Sequence, residues 1–423
     1  MKVVIVGGVA GGATAAARIR RLKEDAEIII LEKTGYISYA NCGLPYYIGD
    51  VIEESNNLIL QTPQSFKNRF CIDVRVNNEV ISVNSDKKYV VVKNVLTNET
   101  YQETYDKLIL SPGAKPLMPN ISGMDSNRIF TLKTVEDTFK MKKFIQDKNP
   151  KRVVIIGGGF IGMEMLENLL NLGLEVTLIE GSNQLLGQLD GDMASFVHVK
   201  LKNLGIRFFL NTVVSKFEDT GKGLNVFVDN QMILQTDIVL MTIGVVPETS
   251  FIKNTSITLG IKGSIVVNEK METSIEDIYA VGDAVEVNNF VTNERGLILL
   301  AGPANKQARI AADNICGLNS RYQGFQSSSI LKLFDWTIAS TGISEKQAKK
   351  LNINYEKVIL SPNSNASYYP YGDIMTIKVL YNKNNLHILG AQIIGTKGVD
   401  KRIDVFATAM RAQLKATELV NLD

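Results

Sequence analysis

Two stretches of the chain carry the same order of hydrophobic and polar positions. In the first, the β-branched run Lys2–Val6 leads into a glycine-rich turn at 7–12, a small-residue segment at 13–22, and a second apolar run, Glu27–Leu31, that stops at Glu32. In the second, Arg152–Ile156, a glycine turn at 157–162, a segment at 163–172 and Glu175–Ile179 repeat that order, and the last run stops at Glu180. Short apolar runs bounded by glycine suit buried strands of a parallel sheet, and the segments between them have helical length. Each stretch therefore predicts a complete βαβ unit. The duplication is of a whole nucleotide-binding unit, not of a short solenoid repeat.

Between the two units, 74–105 reads as strands and turns, and Lys107–Leu110 as a strand running into Ser111-Pro112-Gly113. Two further short apolar strands are expected at 238–243 and 278–281. Past residue 325 the pattern changes. Antiparallel strands are expected at 330–341, 373–380 and 386–394, with helices at 345–351 and 403–414, which predicts a separate α+β domain. The fold class is α/β: two Rossmann-like dinucleotide-binding domains and a C-terminal α+β domain. The expected division is 1–115 and 244–322 for the two parts of the first domain, 116–243 for the second, and 323–423 for the last.

Composition narrows the picture further. At 423 residues the chain exceeds one compact core, and its 45% hydrophobic and 21% charged residues are ordinary for a globular protein. A net charge of +2 points to no nucleic-acid or acidic partner, so any basic function must be local. No stretch has membrane-spanning length. Met1 and Lys2 followed by 3–17 imitate a secretory signal, but the glycine-dense centre and the Arg18-Ile19-Arg20-Arg21 run argue against one. Cys42, Cys71 and Cys316 lie far apart without C-x-x-C spacing, which supports neither a disulfide scaffold nor a metal site and suits a cytoplasmic location.

A glycine turn between strand and helix lets backbone approach a pyrophosphate, whose charge then sits on the helix N-terminal dipole. Gly157, Gly159 and Gly162 fill the whole G-x-G-x-x-G pattern, and Glu180 is placed to accept from a ribose 2′-hydroxyl. A carboxylate there repels a 2′-phosphate, and Gly181-Ser182-Asn183 offers no arginine to bind one, so NADH is favoured over NADPH. In the first unit Gly7 and Gly12 hold the outer positions, Val9 takes the middle one, and Gly8, Ala10 and Gly11 fill the rest. A distant segment, 273–283, reads T-S-I-E-D-I-Y-A-V-G-D and delivers Asp283 to a C-terminal strand edge, where α/β sheets bind ligands.

The paired glycine turns, the Ser111-Pro112-Gly113-Ala114 junction and the T-x5-I-Y-A-V-G-D segment together resemble the pyridine nucleotide-disulfide oxidoreductases, over nearly the whole chain. That resemblance implies that the first unit binds FAD. The residues it points to are Gly7, Gly8, Val9, Ala10, Gly11, Gly12, Glu32, Lys33, Asn41, Cys42, Val80, Ser111, Pro112, Gly113, Ala114, Asp283, Ala301 and Ala304. It implies that Gly157, Gly159, Phe160, Ile161, Gly162, Glu180 and Gly244 bind NAD(H), and that the last domain forms a homodimer.

Within that family, Ser38-Tyr39-Ala40-Asn41-Cys42-Gly43-Leu44-Pro45-Tyr46 is similar to the S-F-x-N-C segment of coenzyme A disulfide reductases, with Tyr39 where Phe is usual. The segments at 300–305 and 366–370 look like the same branch, closest to members that carry an added rhodanese module and act on CoA disulfides, persulfides or polysulfides. No such module is present in this sequence. The residue five after Cys42 is Tyr47, so a second thiol of the C-x-x-x-x-C type is missing and Cys42 must alternate between thiolate and a mixed disulfide or sulfenic acid. Backbone N–H groups of the turn that follows are placed to lower its pKa.

The resemblance assigns further roles. Glu164 matches a carboxylate near flavin and nicotinamide, and Tyr368, with Tyr369 as the fallback, matches a tyrosine given by the partner subunit to the leaving thiolate. A second family tyrosine, in a Y-A-P-P stretch, has no counterpart before Asp423. His198 and His387 sit in no acid motif. Thr14, Arg18, Arg21, Ser38, Asn41 and Asn305 resemble contacts to CoA as substrate or Cys42 adduct. The family's lysine after T-P-x-x-F falls at Phe70, with Lys67 or Arg69 as substitutes. Two other readings stay open: an NADH oxidase or peroxidase cycling a Cys42 sulfenic acid, and a flavin redox sensor of low turnover.

Overall fold

A computed structural model describes residues 1–370 and 372–422 of the chain. Its residues gather into two compact units. The first comprises Met1–Leu117, Leu132–Phe144 and Gly244–Phe325, and the second Met118–Thr131, Ile145–Ile243 and Gln326–Asp423.

The first unit is built on a five-stranded sheet in the order Ile278–Ala280, Lys107–Leu110, Lys2–Val6, Glu27–Leu31, Asp73–Arg75, with every neighbouring pair parallel. The apolar runs are buried on both faces, as their lack of alternation requires. Register is what positions the site. Val6 lies opposite both Leu31 and Leu110, and Leu110 opposite Ala280, so the strands end at one level. The residues that follow them, Gly7, Glu32, Ser111 and the segment ending at Asp283, therefore share one sheet edge. The chain leaves Lys2–Val6 towards one side and later returns on the other, which makes this edge a switch point where α/β sheets take ligands.

The helix Ala10–Leu22 buries Gly11, Gly12, Ala13, Ala15, Ala16 and Ile19. It packs against the helix Ala301–Ile315, which buries Ala304, Ala308, Ala311 and Ala312. Small residues on both sides let the backbones come close. An antiparallel meander, Asn78–Asn84, Tyr89–Asn94 and Thr100–Thr104, and a short pair, Ala114–Pro116 with Val245–Pro247, complete the surroundings of the edge.

In the second unit the sheet order is Arg207–Phe209, Glu175–Ile179, Arg152–Ile156, Ile238–Met241, Ile129–Phe130, again parallel. Ile156 faces Ile179 and Met241, so Gly157 and Glu180 leave the sheet side by side. The C-terminal part is an antiparallel sheet ordered Ser329–Leu333, Trp336–Gly342, Ile388–Gly395, Thr376–Asn382, Tyr355–Leu360, with the helix Val399–Arg411 packed on it. The expected single strand at 330–341 is a hairpin that turns at Phe334 and Asp335. The edge strand Tyr355–Leu360 was not expected, and Val358, Ile359 and Leu360 on it are exposed. Among the described residues, no helix is long and apolar enough to cross a membrane.

Candidate active site

Both glycine turns are held by the same device. Gly7 has φ +92°, and a Cβ there would lie 2.1 Å from the Ser111 carbonyl oxygen; Gly157 has φ +108°, with a Cβ 2.5 Å from the Thr242 oxygen. A Cβ on Gly12 would meet the Gly7 oxygen at 1.8 Å, and one on Gly162 the Gly157 oxygen at 2.1 Å. These four glycines are required by the chain itself. Gly159 is different. Its φ of −79° is open to any residue and a Cβ would meet nothing within 4 Å, so its space is left for something outside the chain. Val9, in the equivalent place, has φ −96°, and its side chain costs the turn no backbone strain.

The helices that follow begin at Ala10 and Phe160, and neither carries an acid in its first turn. Their N-terminal dipoles are thus left for an anion. The two acids close the turns: Glu32 accepts from the Gly8 N–H at 2.8 Å, and Glu180 from the Gly158 N–H at 2.7 Å. Thr34 N–H and hydroxyl hold Glu32 from the other side, as Ser182 N–H and hydroxyl hold Glu180, at 2.8–2.9 Å. Burial pushes the Glu32 carboxyl above the usual carboxylate range, against the lowering effect of its hydrogen bonds.

A cavity of about 340 Å³ opens on the first edge, lined by Gly7, Glu32, Lys33, Val80, Pro112 and the unexpected Phe251, among others. Five sequence-predicted FAD residues from four distant segments meet there. At the other end of the edge Asp283 is paired with Lys133, Nζ to Oδ2 3.2 Å. Beside it Gln307 accepts from the Gly282 N–H at 2.8 Å, while its buried Nε2 has no partner among the described residues. A Cβ on Gly113 would meet nothing, and Ala304 stands under Gly282. Ala114 is buried, whereas Ala301 is exposed at the start of its helix. An open cradle, an empty dipole and an orphaned buried donor fit a dinucleotide such as FAD. Lys133, Gln307 and Phe251 carried no sequence signal, since each reaches the edge only through the fold.

Cys42 sits in a 3₁₀ turn, Asn41–Gly43, that runs into the short helix Leu44–Ile48. Cys42 and Asn41 are exposed, while Gly43, Leu44 and Ile48 pack inward. A Cβ on Gly43 would press on Leu58 at 3.0 Å, so the floor of the turn is closed and the residue before it faces outward. The loop is pinned from two directions. The Tyr39 hydroxyl donates to the Lys133 carbonyl at 3.4 Å, a use for the oxygen that Phe lacks. Lys142 lies 3.8 Å from the Tyr47 ring centroid, and Phe139 packs edge-on to Tyr36 and Tyr47. Ser38 takes φ +46°, a strained conformation for a serine, held by Ser38 N–H to the Gly8 oxygen and Leu60 N–H to the Ser38 oxygen, both 2.9 Å. Cys71 and Cys316 each cap the end of a different helix, and burial pushes the Cys316 thiol up.

A second cavity, about 280 Å³, is lined by Thr14, Arg18, Arg21 and Ser38, with Arg69, Phe70 and Arg309 also on its wall. Arg18 Nε bonds Asp313 at 2.8 Å, and Thr14 donates to Asn305 at 2.9 Å. Of the two substitutes for the missing lysine, Arg69 lines this cavity and Lys67 does not. Asn41 is not on its wall.

In the second unit Gly157, Gly159, Phe160, Ile161, Gly162 and Glu180 gather at one glycine turn, and Glu164 is half-buried just past the first turn of the helix Phe160–Asn171. Gly244, expected with them, belongs to the first unit, where its oxygen accepts from the Leu117 N–H at 2.9 Å. Tyr368 is 89% exposed and Tyr369 is also exposed, on a loop anchored by Arg402 to the Ser364 oxygen at 2.8 Å. His198 accepts from the Leu185 N–H at 3.1 Å, a packing role, and burial lowers its pKa. Asp190, Asp192 and Glu345 gather as metal ligands would, but the fully buried Lys378 ammonium bonds all three at 2.6–3.0 Å and takes a cation's place.

Residues 1–308 match the sequence model of the pyridine nucleotide-disulphide oxidoreductases, and 328–422 that family's dimerisation domain. A coenzyme A disulfide reductase of Staphylococcus haemolyticus is 38% identical over all of this chain and 94% of its own length. The crystal structure of reduced Bacillus anthracis CoADR-RHD has a TM-score of 0.97 at 48% identity, covering the whole of this chain and 76% of that one. An NAD-dependent persulfide reductase from A. fulgidus has a TM-score of 0.96 at 34% identity, covering the whole chain and 79% of that structure.

Proposed function

This chain belongs to the pyridine nucleotide-disulphide oxidoreductase family, and from that premise we propose that it reduces coenzyme A disulfide, or a CoA persulfide or polysulfide, with NADH through the single cysteine Cys42. The observation that carries the reading is the second cavity. The loop bearing Cys42 lines it through Ser38, and its wall has four arginines and no acid. A substrate suited to that wall is a polyanion, and the loop that lines it carries the exposed Cys42, a pairing that fits coenzyme A. The names of the relatives support the same substrate class.

The glycine turn, Glu32, Ser111 and Asp283 would hold FAD along the first sheet edge, where it would supply a two-electron relay between NADH and the cysteine. The rest belongs to this chain's residues. The Cys42 thiolate attacks one sulfur of CoA–S–S–CoA, forming Cys42–S–S–CoA and releasing one CoA thiolate. Two electrons and one proton then cleave that mixed disulfide into the Cys42 thiolate and CoA thiol. NADH gives the two electrons and leaves as NAD⁺ with release of a proton. Glu180 supports NADH over NADPH, because its carboxylate is tied beside the glycine turn and would repel a 2′-phosphate.

Glu164 and Tyr368 enter on the resemblance alone, Glu164 near the nicotinamide and Tyr368 at the leaving thiolate. The exposed apolar edge strand Tyr355–Leu360 and the exposed Tyr368 loop support a second copy of this chain as partner. The test is NADH consumption without air. Rapid loss on adding CoA disulfide is the expected result. Loss only under air, with matching oxygen uptake, would make the chain an oxidase and defeat the reading.

A further inference from the structure

The segment 182–189, which follows Glu180, folds back onto the second glycine turn. Leu186 N–H donates to the Gly158 oxygen at 2.8 Å, and the Leu185 side chain lies 2.4 Å from where a Cβ on Gly158 would sit. Gly158 N–H in turn holds Glu180. Both leucines are fully buried, and Leu186 takes φ +49°, a left-handed conformation that a leucine keeps only under constraint from its surroundings. An acid at the end of this strand takes the ribose of a dinucleotide, so the segment behind it flanks the adenosine half.

Part of the constraint is internal: the Ser182 hydroxyl donates to the Gln184 oxygen at 2.8 Å, and Gln184 Nε2 to the Leu189 oxygen at 2.9 Å. From outside the segment, His198 Nε2 accepts the Leu185 N–H at 3.1 Å. His198 stands on the helix Gly191–Asn203, its ring 5.6 Å from that of Phe208. Accepting at Nε2 requires the neutral ring with its proton on Nδ1, because an imidazolium has only donors to offer. The surroundings favour that neutral form. Burial, and then Lys202 one helical turn on, lower its pKa below the ordinary 6.5. The segment 182–189 has no ionisable side chain. The strand Arg207–Phe209 brings Phe208 to the ring, while its Arg207 bonds Thr177 and Glu175. On the helix itself Lys200 pairs with Asp335, and Asp192, like Asp190 before it, pairs with Lys378.

Resting on the NADH reading above, we propose that His198 is a positioning residue for NADH: neutral, it fixes the segment 182–189 against the glycine turn and so shapes the adenosine side of the site, and protonated, it releases that segment and weakens NADH. The sign follows from the neutral form being the one that accepts. The hold is complete above 6.5 and is lost as pH falls through the lower value of the folded ring. The chain's second histidine, His387, lies at the start of a different element, before the strand Ile388–Gly395, and makes no part of this contact.

The test is anaerobic reduction of the flavin-loaded enzyme by NADH in a stopped-flow instrument, which gives an apparent Kd and a limiting rate without any disulfide. His198→Leu keeps an apolar body beside Phe208 and has no acceptor. Its apparent Kd for NADH should rise about 3- to 10-fold, the worth of one hydrogen bond, with the limiting rate within about twofold of wild type. His198→Gln carries an acceptor that does not titrate. It should bind NADH as wild type does at about pH 8 and keep that affinity at about pH 5.5, where wild type weakens. A calorimetric titration with ADP-ribose, which lacks the nicotinamide, should rank the three proteins in the same order. Wild-type affinity for NADH and ADP-ribose in His198→Leu overturns the proposal, whatever its melting temperature. So does an acid loss of affinity in His198→Gln as large as that of wild type, and this profile decides alone if His198→Leu does not fold. If NADH does not reduce the flavin, the functional reading falls, and the ADP-ribose titrations still decide the role of His198.

Discussion

The Glu180 carboxylate accepts a hydrogen bond from the Gly158 backbone N–H at 2.7 Å, across the mouth of the second glycine turn. Ser182 holds its other oxygen through N–H and hydroxyl, both at 2.8 Å. A carboxylate tied by three donors does not swing away from an incoming 2′-phosphate. NADH should therefore exceed NADPH in kcat/KM by on the order of tenfold or more, and Glu180→Gln should lose most of that ratio. Steady-state kinetics with both nucleotides checks this; an unchanged ratio would remove Glu180 from cofactor choice.

Asp283 and Lys133 make a second test. Their 3.2 Å pair fixes the carboxylate at the sheet edge expected to face the flavin. Asp283→Ala should be purified with well under half the wild-type flavin, read from the flavin-to-protein absorbance ratio. Lys133→Met leaves Asp283 without its cation and should weaken flavin retention less. Full flavin content in Asp283→Ala would place the cofactor elsewhere.

Lys378 predicts a stability effect with a defined pH dependence. Burial opposes its charge, but its bonds to Asp192, Glu345 and Asp190 outweigh that and raise its pKa. Burial likewise pushes Glu345 up, yet hydrogen bonds from Lys378, Lys357 and Tyr355 hold it down to about 2. A depressed carboxyl contributes stability above its unfolded pKa, here 4.5, and loses it as pH falls towards 2. A raised lysine contributes below 10.5 and loses it at higher pH. Lys378→Met should cost about 3–5 kcal/mol near neutrality by removing the buried ammonium that bonds all three carboxylates, with only the half-exposed Lys357 left beside Glu345 and Asp192. Thermal melts should show the gap to wild type shrinking as pH falls below about 4.5, where the stability that Glu345 draws from Lys378 is lost. A gap independent of pH would mean that only packing was lost.

How much of this was legible follows from where each signal lies. The runs Lys2–Val6, Glu27–Leu31, Lys107–Leu110, Arg152–Ile156 and Glu175–Ile179 match strands residue for residue, because central parallel strands must be apolar throughout. The nucleotide helices start at Ala10 and Phe160, three residues earlier than read, since glycines that look like a turn form the helical first turn. The strand Tyr355–Leu360 escaped notice because neither face is buried within one chain, which leaves no alternation to read. Thr14, Arg18, Arg21 and Ser38 were found by motif and share a cavity, whereas Arg309 reaches it from a distant helix and has no local signature.

The central claim is that one cysteine stores the oxidising equivalent as a mixed disulfide with coenzyme A. Mass spectrometry of the Cys42 peptide, from enzyme isolated without reductant and digested under acid, tests it most directly. The predicted result is a peptide heavier by one coenzyme A less two hydrogens, returned to the plain thiol by prior treatment with NADH. A disulfide from Cys42 to Cys71 or Cys316, or a Cys42 carrying only oxygen, would contradict the account.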